Sequence, residues 1–237
     1  DQKVLAREEL INLLKENAFT KPVFIRVNDA MEAIGREDID AISPYQDQIE
    51  AIILPKTQSF DFLATLAPMI DFSNKLVPLI ETPRAIDTVT QIAAFKDVVG
   101  LFFGAADSSA SLGCKLAWEP LLYARQKVVL AAAMYNLFTI DAPFFYMDDK
   151  EGLKKEAEAV KNLGFTGKAA IHPDQIDFIN ESFAPTSEEI AEGKKVLEEY
   201  QKSGGGAVKI DGQMVDEPIA EAMRLKISLG EEEEKED

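Results

Sequence analysis

Residues 76–107 read LVPLIETPRAIDTVTQIAAFKDVVGLFFGAAD. Two apolar runs, 76–80 and 98–103, enclose a segment whose apolar residues recur at helical spacing over 84–95. Both runs are almost continuously apolar, which is typical of parallel strands that are buried on both faces. A strand, a helix and a second strand within about 30 residues predict a βαβ unit.

The same pattern continues on both sides of this unit. The other apolar runs are 22–27, 51–55, 139–143 and 168–171. The other helical patterns are 3–16, 118–136, 150–163 and 187–202. Successive runs start about 22–40 residues apart, as in repeated βα units. This alternation predicts an α/β fold, a TIM-type (β/α)8 barrel with six of its eight strands in this chain.

A doubly wound open sheet is the alternative fold for six strands. That fold places a glycine-rich phosphate-binding turn after its first strand, whereas Arg26-Val27-Asn28-Asp29 follows here. The barrel is therefore favoured. Because a closed barrel has eight strands, we expect the two missing strands to lie upstream of residue 1.

The end of the chain changes in character. We expect residues 1–202 to form the barrel domain and residues 203–230 to form a C-terminal arm or lid. The arm contains an Asp211-Gly212 turn between two short apolar runs, and Pro218 begins a last helix. Residues 231–237 form an acidic tail.

Composition narrows the range of partners. The net charge of −17 argues against binding to nucleic acid or to an anionic membrane, because both repel an acidic surface. No apolar run approaches the roughly 18 residues that span a bilayer. The single cysteine, Cys114, cannot form an internal disulfide, which fits a cytoplasmic location.

Polar residues at the carboxyl ends of the predicted strands are the candidates for chemistry, because barrel enzymes act at that face. These residues are Arg26, Lys56, Glu81, Arg84, Asp107 and His172. Glu81 and Asp107 follow neighbouring strands, so that the two carboxylates can share one Mg²⁺ ion and leave positions for water and substrate. The alternative is that each carboxylate caps a helix.

The remaining candidates also have two interpretations. Arg26 fits either a clamp on a carboxylate or enolate oxygen, or an ion pair with a loop acid. Lys56 fits an anion contact or a salt bridge at the rim. His172 precedes Pro173 and fits either a substrate contact or a structural role. Asp216 taken alone fits a helix cap.

Eight motifs in order along the chain resemble one known family. They are FIRVN at 24–28, ILPK at 53–56, LIET at 79–82, FGAADSSASLG at 103–113, LLYAR at 121–125, LGFTGKAAIHPDQI at 163–176, NESFAPTSEEI at 180–190 and DGQMVDEP at 211–218. The chain resembles the HpcH/HpaI aldolase/citrate lyase family, and within it the citrate lyase β-subunit-like group with the malyl-CoA and citramalyl-CoA lyases.

The resemblance implies a TIM-type barrel, commonly a homotrimer, with Mg²⁺ bound by Glu81 and Asp107. It implies that Arg26 contacts the reacting substrate and that Asp216, from the tail of a neighbouring subunit, is a general acid/base. Lys56, Arg84 and His172 join Arg26 and Glu81 as substrate-binding candidates.

The implied reaction cleaves a short β-hydroxyacyl-CoA, of the malyl-CoA or citramalyl-CoA type, into acetyl-CoA and a 2-oxoacid, or forms it from these two by condensation. The alternatives are a citrate lyase β subunit, which would need an acyl-carrier protein, and a non-catalytic family member. One departure concerns Ala106, where the family commonly has Glu. That departure bears on substrate choice, and the carboxylate of Asp107 is kept.

Overall fold

The described residues of the computed structural model (2–70, 72, 75–204, 206–210 and 212–233) contain a six-stranded parallel sheet. Its strands are β1 (Phe24–Arg26), β2 (Ala51–Leu54), β3 (Leu76–Ile80), β4 (Gly100–Phe103), β5 (Phe138–Asp141) and β6 (Gly167–Lys168). The strands pair in chain order, β1-β2-β3-β4-β5-β6. A doubly wound sheet reverses its order at the middle, so that this order excludes it. The six strands form a half-barrel with helices around it, which confirms the predicted fold class.

Helices connect the strands along the outside of the sheet. They are α1 (Gln2–Lys15), α2 (Ala33–Ile42), α3 (Phe60–Leu66), α4 (Pro83–Asp87), α5 (Val89–Ala93), α6 (Ala105–Leu112), α7 (Trp118–Met134) and α8 (Lys150–Leu163). The predicted helices at 3–16, 118–136 and 150–163 are confirmed to within two residues. The predicted helix at 84–95 is two short helices that meet at Thr88, where the backbone leaves the helical region.

Alternate strand residues build the inner face of the sheet. Ala51, Ile53, Val77 and Leu79 form a buried cluster, and Val99, Phe102 and Phe138 pack against it. Arg26 lies opposite Ile53 in the register. Glu81 follows Leu79 by two residues, and strand side chains alternate between faces, so that Glu81 continues this inner face at its carboxyl end.

A proline interrupts the middle strand of this face. Pro78 has no N–H to donate to a neighbour, and such a residue is tolerated in a sheet mainly at a bulge. The register around it contains one: Leu76 lies opposite Val98, but Leu79 lies opposite Phe102. The extra residue in the partner segment is a bulge, which lets the strands stay paired on both sides of Pro78.

Two compact units divide the chain, residues 1–173 and residues 174–237. The end of the barrel domain was expected at residue 202 from the sequence. The second unit contains α9 (Ile176–Phe183), α10 (Ser187–Lys202), an antiparallel hairpin of β7 (Val208–Ile210) and β8 (Gln213–Val215), and α11 (Glu217–Glu233). The division falls before α10 because α10 packs closely along α11 within the second unit.

The second unit has its own small core. Val196 and Tyr200 of α10 pack with Ile210, Val215 and Ala220. The hairpin predicted around Asp211-Gly212 is present, although Asp211 itself lies outside the described residues, as do residues 234–237 of the predicted tail. Across the part of the chain that the structure describes, no helix combines the length and the apolar character that crossing a membrane requires.

A buried cluster of charges ties β5 and β6 to the helices outside them. Arg125 Nε donates to Asp141 Oδ1 at 2.8 Å, and Lys168 Nζ donates to Asp141 Oδ2 at 2.8 Å and to Glu156 Oε1 at 2.7 Å. The Arg125 guanidinium also stacks between the Phe103 and Trp118 rings, 5.1 and 4.9 Å from their centroids. Because Asp141 and Lys168 are fully buried, each charge depends on its partners for the solvation it has lost.

We expect Asp141→Ala to lower the free energy of unfolding by about 3–5 kcal/mol, because it leaves Arg125 and Lys168 buried beside no carboxylate from β5. Urea unfolding followed by circular dichroism measures this. Glu198→Ala is the control, since it breaks the exposed Lys202–Glu198 pair on α10 and should leave stability unchanged within error. An Asp141→Ala protein as stable as wild type would contradict the structural role of the cluster.

Candidate metal centre

Glu81 lies directly after β3 and is buried, with 5% of its surface exposed. Its Oε1 accepts a hydrogen bond of 2.7 Å from the backbone N–H of Lys56, at the end of the neighbouring strand β2. The cap of helix α4 is Thr82, whose side chain accepts from the Ala85 N–H. The helix-cap interpretation of Glu81 is therefore wrong, and its carboxylate faces the rim of the half-barrel.

Asp107 lies in the first turn of α6, which starts directly after β4. The residue at the cap position of that helix is Gly104, so that Asp107 is not the cap either. The carboxyl groups of Asp107 and Glu81 lie close enough to form a hydrogen bond, and they interact electrostatically. The structure thus brings the two predicted carboxylates together.

Burial is the main cause that raises the pKa of Glu81 above its ordinary value. The hydrogen bond from the Lys56 N–H acts in the opposite direction, the neighbouring Asp107 raises the pKa further, and the positive charge of Arg26 lowers it. A partly desolvated carboxylate beside a second carboxylate is a site where a cation would remove an unfavourable interaction.

The donor set suits one kind of ion. Two carboxylates offer hard oxygen atoms, which Mg²⁺ prefers, and Mg²⁺ commonly takes one or two carboxylates and fills its other positions with water and substrate. Within the described residues, no group of three or more His, Cys, Asp or Glu side chains could hold a metal ion. An all-protein cage is therefore not present there, and the pair of Glu81 and Asp107 fits an open Mg²⁺ site.

A glycine that the sequence analysis did not single out makes the carboxylate pair possible. A Cβ atom on Gly104 would lie 2.5 Å from the Cβ of Glu81 and 3.1 Å from its Oε2. Glu81 therefore packs directly over the backbone that starts α6. A glycine between a strand and a helix is the sequence signal for such a close approach, but it does not name the residue that approaches.

Arg26 and Lys56 lie on the same side of the rim as the carboxylates. Arg26 ends β1, is exposed, and lies near enough to Glu81 to lower its pKa. The side chain of Lys56 is 61% exposed, and its Nζ lies 4.0 Å from Asp29 Oδ2. The backbone N–H of Lys56, rather than its ammonium group, makes the observed contact with Glu81.

The other candidates lie elsewhere. Arg84 is exposed in the first turn of α4 and lines a separate depression with Ser59 and Thr88. His172 is exposed in the bend that follows β6. Asp216 is the cap of α11 in the second unit, where its Oδ1 accepts from the Ile219 N–H at 3.4 Å. The roles proposed for Arg84, His172 and Asp216 in catalysis or substrate binding remain predictions.

The carboxylate pair lies at the carboxyl ends of adjacent strands of a parallel βα half-barrel, which is the face where barrel enzymes act. The sequence profile of the HpcH/HpaI aldolase/citrate lyase family matches residues 1–173. The chain belongs to this family.

Named relatives agree with that assignment. The citrate lyase subunit beta of Haemophilus influenzae is 29% identical over 95% of this chain and 84% of its own length. The mitochondrial citramalyl-CoA lyase of Homo sapiens is 30% identical over 86% of this chain and 67% of its own. The crystal structure of CitE from Mycobacterium tuberculosis with magnesium, acetoacetate and coenzyme A is 29% identical, with a TM-score of 0.76 over 87% of this chain and 77% of that one. The protein is a carbon–carbon lyase of this family.

We expect Glu81→Gln to raise the thermal unfolding temperature of the metal-free protein at pH 7.5. Because the folded pKa of Glu81 is raised, its ionised form costs stability at pH values above that pKa, and this cost disappears as the pH falls below about 4, where the carboxyl is protonated in both states. The gain should therefore be present at pH 7.5 and absent near pH 4. Wild type, but not Glu81→Gln, should gain stability when Mg²⁺ is added.

We expect Gly104→Ala to weaken Mn²⁺ binding by at least about tenfold, because the new Cβ would displace the Glu81 side chain from its place over α6. Titration followed by electron paramagnetic resonance measures the free ion. Gly167→Ala is the control, since a Cβ there meets no atom within 4 Å. Equal affinities in the two variants would mean that the position of Glu81 does not govern metal binding.

Proposed function

We propose that the protein is a Mg²⁺-dependent lyase that cleaves a short β-hydroxyacyl-CoA, of the malyl-CoA or citramalyl-CoA type, into acetyl-CoA and a 2-oxoacid. In the reverse direction it would condense these two compounds. The observation that carries this proposal is the pair of Glu81 and Asp107 at the rim of the half-barrel, with Arg26 beside it. The names of the Homo sapiens and Mycobacterium tuberculosis relatives support it, since one acts on a CoA thioester and the other holds magnesium and coenzyme A.

Glu81 and Asp107 would hold the ion, which would supply Lewis-acid polarisation of a carboxylate and adjacent oxygen of the 2-oxoacid part of the substrate. In the cleavage direction, the substrate hydroxyl gives its proton to water and the carbon–carbon bond breaks. The electron pair of that bond passes to the thioester and gives an enolate. Arg26 would stabilise the developing negative charge with its planar pair of donors.

The enolate carbon then takes up a proton to give the acetyl thioester. Asp216 is the proposed donor in this direction and the proposed base in the condensation direction. The family resemblance assigns Asp216 to the tail of a neighbouring subunit, so that this role depends on the proposed homotrimer. The helix-cap contact of Asp216 is compatible with that role, because Ile219 N–H engages only Oδ1 of the carboxylate.

An anionic CoA substrate has to approach a chain of net charge −17. Arg26 and Lys56 at the rim, with Arg84 as a further proposed contact, would supply a local positive field for it, and His172 would be a hydrogen-bonding contact. Lys56, Arg84 and His172 are therefore proposed to bind the substrate. The cytoplasmic location expected from the single cysteine also remains a prediction.

The second candidate is a citrate lyase β subunit, which acts together with an acyl-carrier protein. The Haemophilus influenzae relative of that name supports it, since the match covers 84% of that protein. The two candidates differ in the thioester that they accept. Cleavage of a free acyl-CoA supports the first candidate, and cleavage only of a citryl thioester on a carrier protein supports the second.

We expect the purified protein with Mg²⁺ to release acetyl-CoA and a 2-oxoacid from malyl-CoA or citramalyl-CoA, with citryl-CoA as the comparison substrate. Glu81→Ala and Asp107→Ala should each lower kcat/KM by about a thousandfold, because each removes a ligand of the ion that polarises the substrate. Arg26→Lys should lower kcat by about a hundredfold, since an ammonium group cannot replace the guanidinium fork. Full Mg²⁺-dependent activity in both carboxylate variants would make the metal assignment wrong.

A further inference from the structure

Lys56 has an unusual backbone conformation at the edge of the proposed metal site. Its φ angle is +54°, in the left-handed region that side chains with a Cβ rarely adopt. Among the described non-glycine residues, Asn17 and Asn136 share this feature. Asparagine enters the left-handed region several times more readily than most residues, whereas lysine has no such tendency.

The left-handed backbone conformation of Lys56 directs its N–H toward Glu81. Residues 54–57 turn away from β2, and the N–H of Lys56 is brought onto Oε1 of Glu81 at 2.7 Å. A hydrogen bond of this length from an N–H to a carboxylate is short, as expected for a charge-assisted bond. Thr57, which is fully buried, secures the turn by donating its hydroxyl to the Leu54 carbonyl at 3.0 Å.

The side chain of Lys56 leads in another direction. Its Nζ lies 4.0 Å from Asp29 Oδ2, at a distance and exposure where an ion pair contributes little. Asp29 is itself engaged, because its Oδ1 accepts from the Met31 N–H at 3.0 Å. The ammonium group therefore lies at the rim, while the backbone N–H of the same residue reaches the buried carboxylate.

The single hydrogen bond settles which way the carboxylate of Glu81 faces. With Oε1 held by Lys56, Oε2 lies on the side of Gly104, where α6 begins and Asp107 follows. A carboxylate that is free to rotate would have to be ordered when an ion binds, whereas one that is already oriented is not subject to that loss of freedom.

We propose that Lys56 is a positioning residue that acts through its left-handed backbone, which aims its N–H at Glu81 and orients that carboxylate toward the ion. This inference rests on the proposed function, since it takes Glu81 and Asp107 as the ligands. It also explains why a strained conformation persists at this place: strain at a site is retained where the surrounding structure holds it and the geometry is used.

The test compares substitutions that separate the backbone from the side chain. Lys56→Met and Lys56→Ile both remove the ammonium group and have similar size, but the β-branched isoleucine strongly disfavours positive φ. Lys56→Gly removes the side chain entirely and accepts positive φ without strain. The measurement is Mn²⁺ binding to each folded, full-length variant by electron paramagnetic resonance, with circular dichroism as the check of folding.

We expect Lys56→Met and Lys56→Gly to bind Mn²⁺ within about threefold of wild type and Lys56→Ile to bind about tenfold more weakly. An equal, large loss in all three variants would assign the effect to the ammonium group and overturn the proposal. Unchanged binding in all three would overturn it as well. Glu81→Ala and Asp107→Ala, measured in the same way, report separately on the metal site: if they bind Mn²⁺ like wild type, the proposed function fails at that step.

A second readout needs no metal ion. In the metal-free protein, the amide proton of Lys56 should exchange with solvent at least about tenfold faster in Glu81→Ala than in wild type, because the carboxylate that accepts its hydrogen bond is gone. The same acceleration is expected in Lys56→Ile, measured at residue 56. Equal exchange rates in wild type and Glu81→Ala would show that this hydrogen bond does not form, and the positioning role would be rejected even if the metal site itself were correct.

Discussion

The burial of one carboxylate, that of Glu81, is the constraint on which the rim of the half-barrel depends. A carboxylate that loses water needs replacement partners, and two segments supply them. The end of β2 supplies the Lys56 N–H, and Arg26 at the end of β1 supplies positive charge. A third segment, the start of α6, packs so closely on Glu81 that residue 104 has no room for a Cβ. The remaining unfavourable interaction, with Asp107, is the one that a divalent cation would remove. The same features that make two neighbouring carboxylates costly thus make the pair suited to bind an ion.

The frame that holds this rim is rigid for a separate reason. Arg125, Asp141 and Lys168 form a buried ionic cluster behind β5 and β6, and the guanidinium is enclosed between two aromatic rings. Buried ion pairs contribute little net stability relative to apolar residues, but removal of one partner is expensive. Any arrangement of α7 and α8 that separated these partners would therefore be costly. Near β3, the bulge opposite Pro78 also preserves the sheet, because it restores the strand pairing that a proline would otherwise break.

Positive charge at the rim would also allow this acidic chain to bind the anionic substrate that is proposed for it. The net charge of −17 describes the whole molecule, whereas a ligand at the rim is close to Arg26 and Lys56. Over distances shorter than about 10 Å these local charges are screened little by salt. Membership of the HpcH/HpaI aldolase/citrate lyase family fixes the class of chemistry, whereas contacts between the protein and its substrate decide which substrate is accepted.

The amino-acid sequence by itself determined the repeated βα units, since continuous apolar runs and helical spacing are local features. It singled out Glu81 and Asp107 as candidates because they are polar residues at strand ends, and their role as metal ligands remains a prediction. It also determined the hairpin and the long helices, because their periodicity and caps lie within a few residues of each other. Short helices such as α2, α3 and α6 escaped prediction, since fewer than about three turns give too little periodicity to recognise. The structure also showed that Thr82 rather than Glu81 caps α4, through a local contact with Ala85. Only the tertiary structure decided that Gly104 makes room for Glu81 and that Lys56 meets the site through its N–H. Both depend on contacts between segments about 20 residues or more apart, and no local pattern of residues encodes the distance between them.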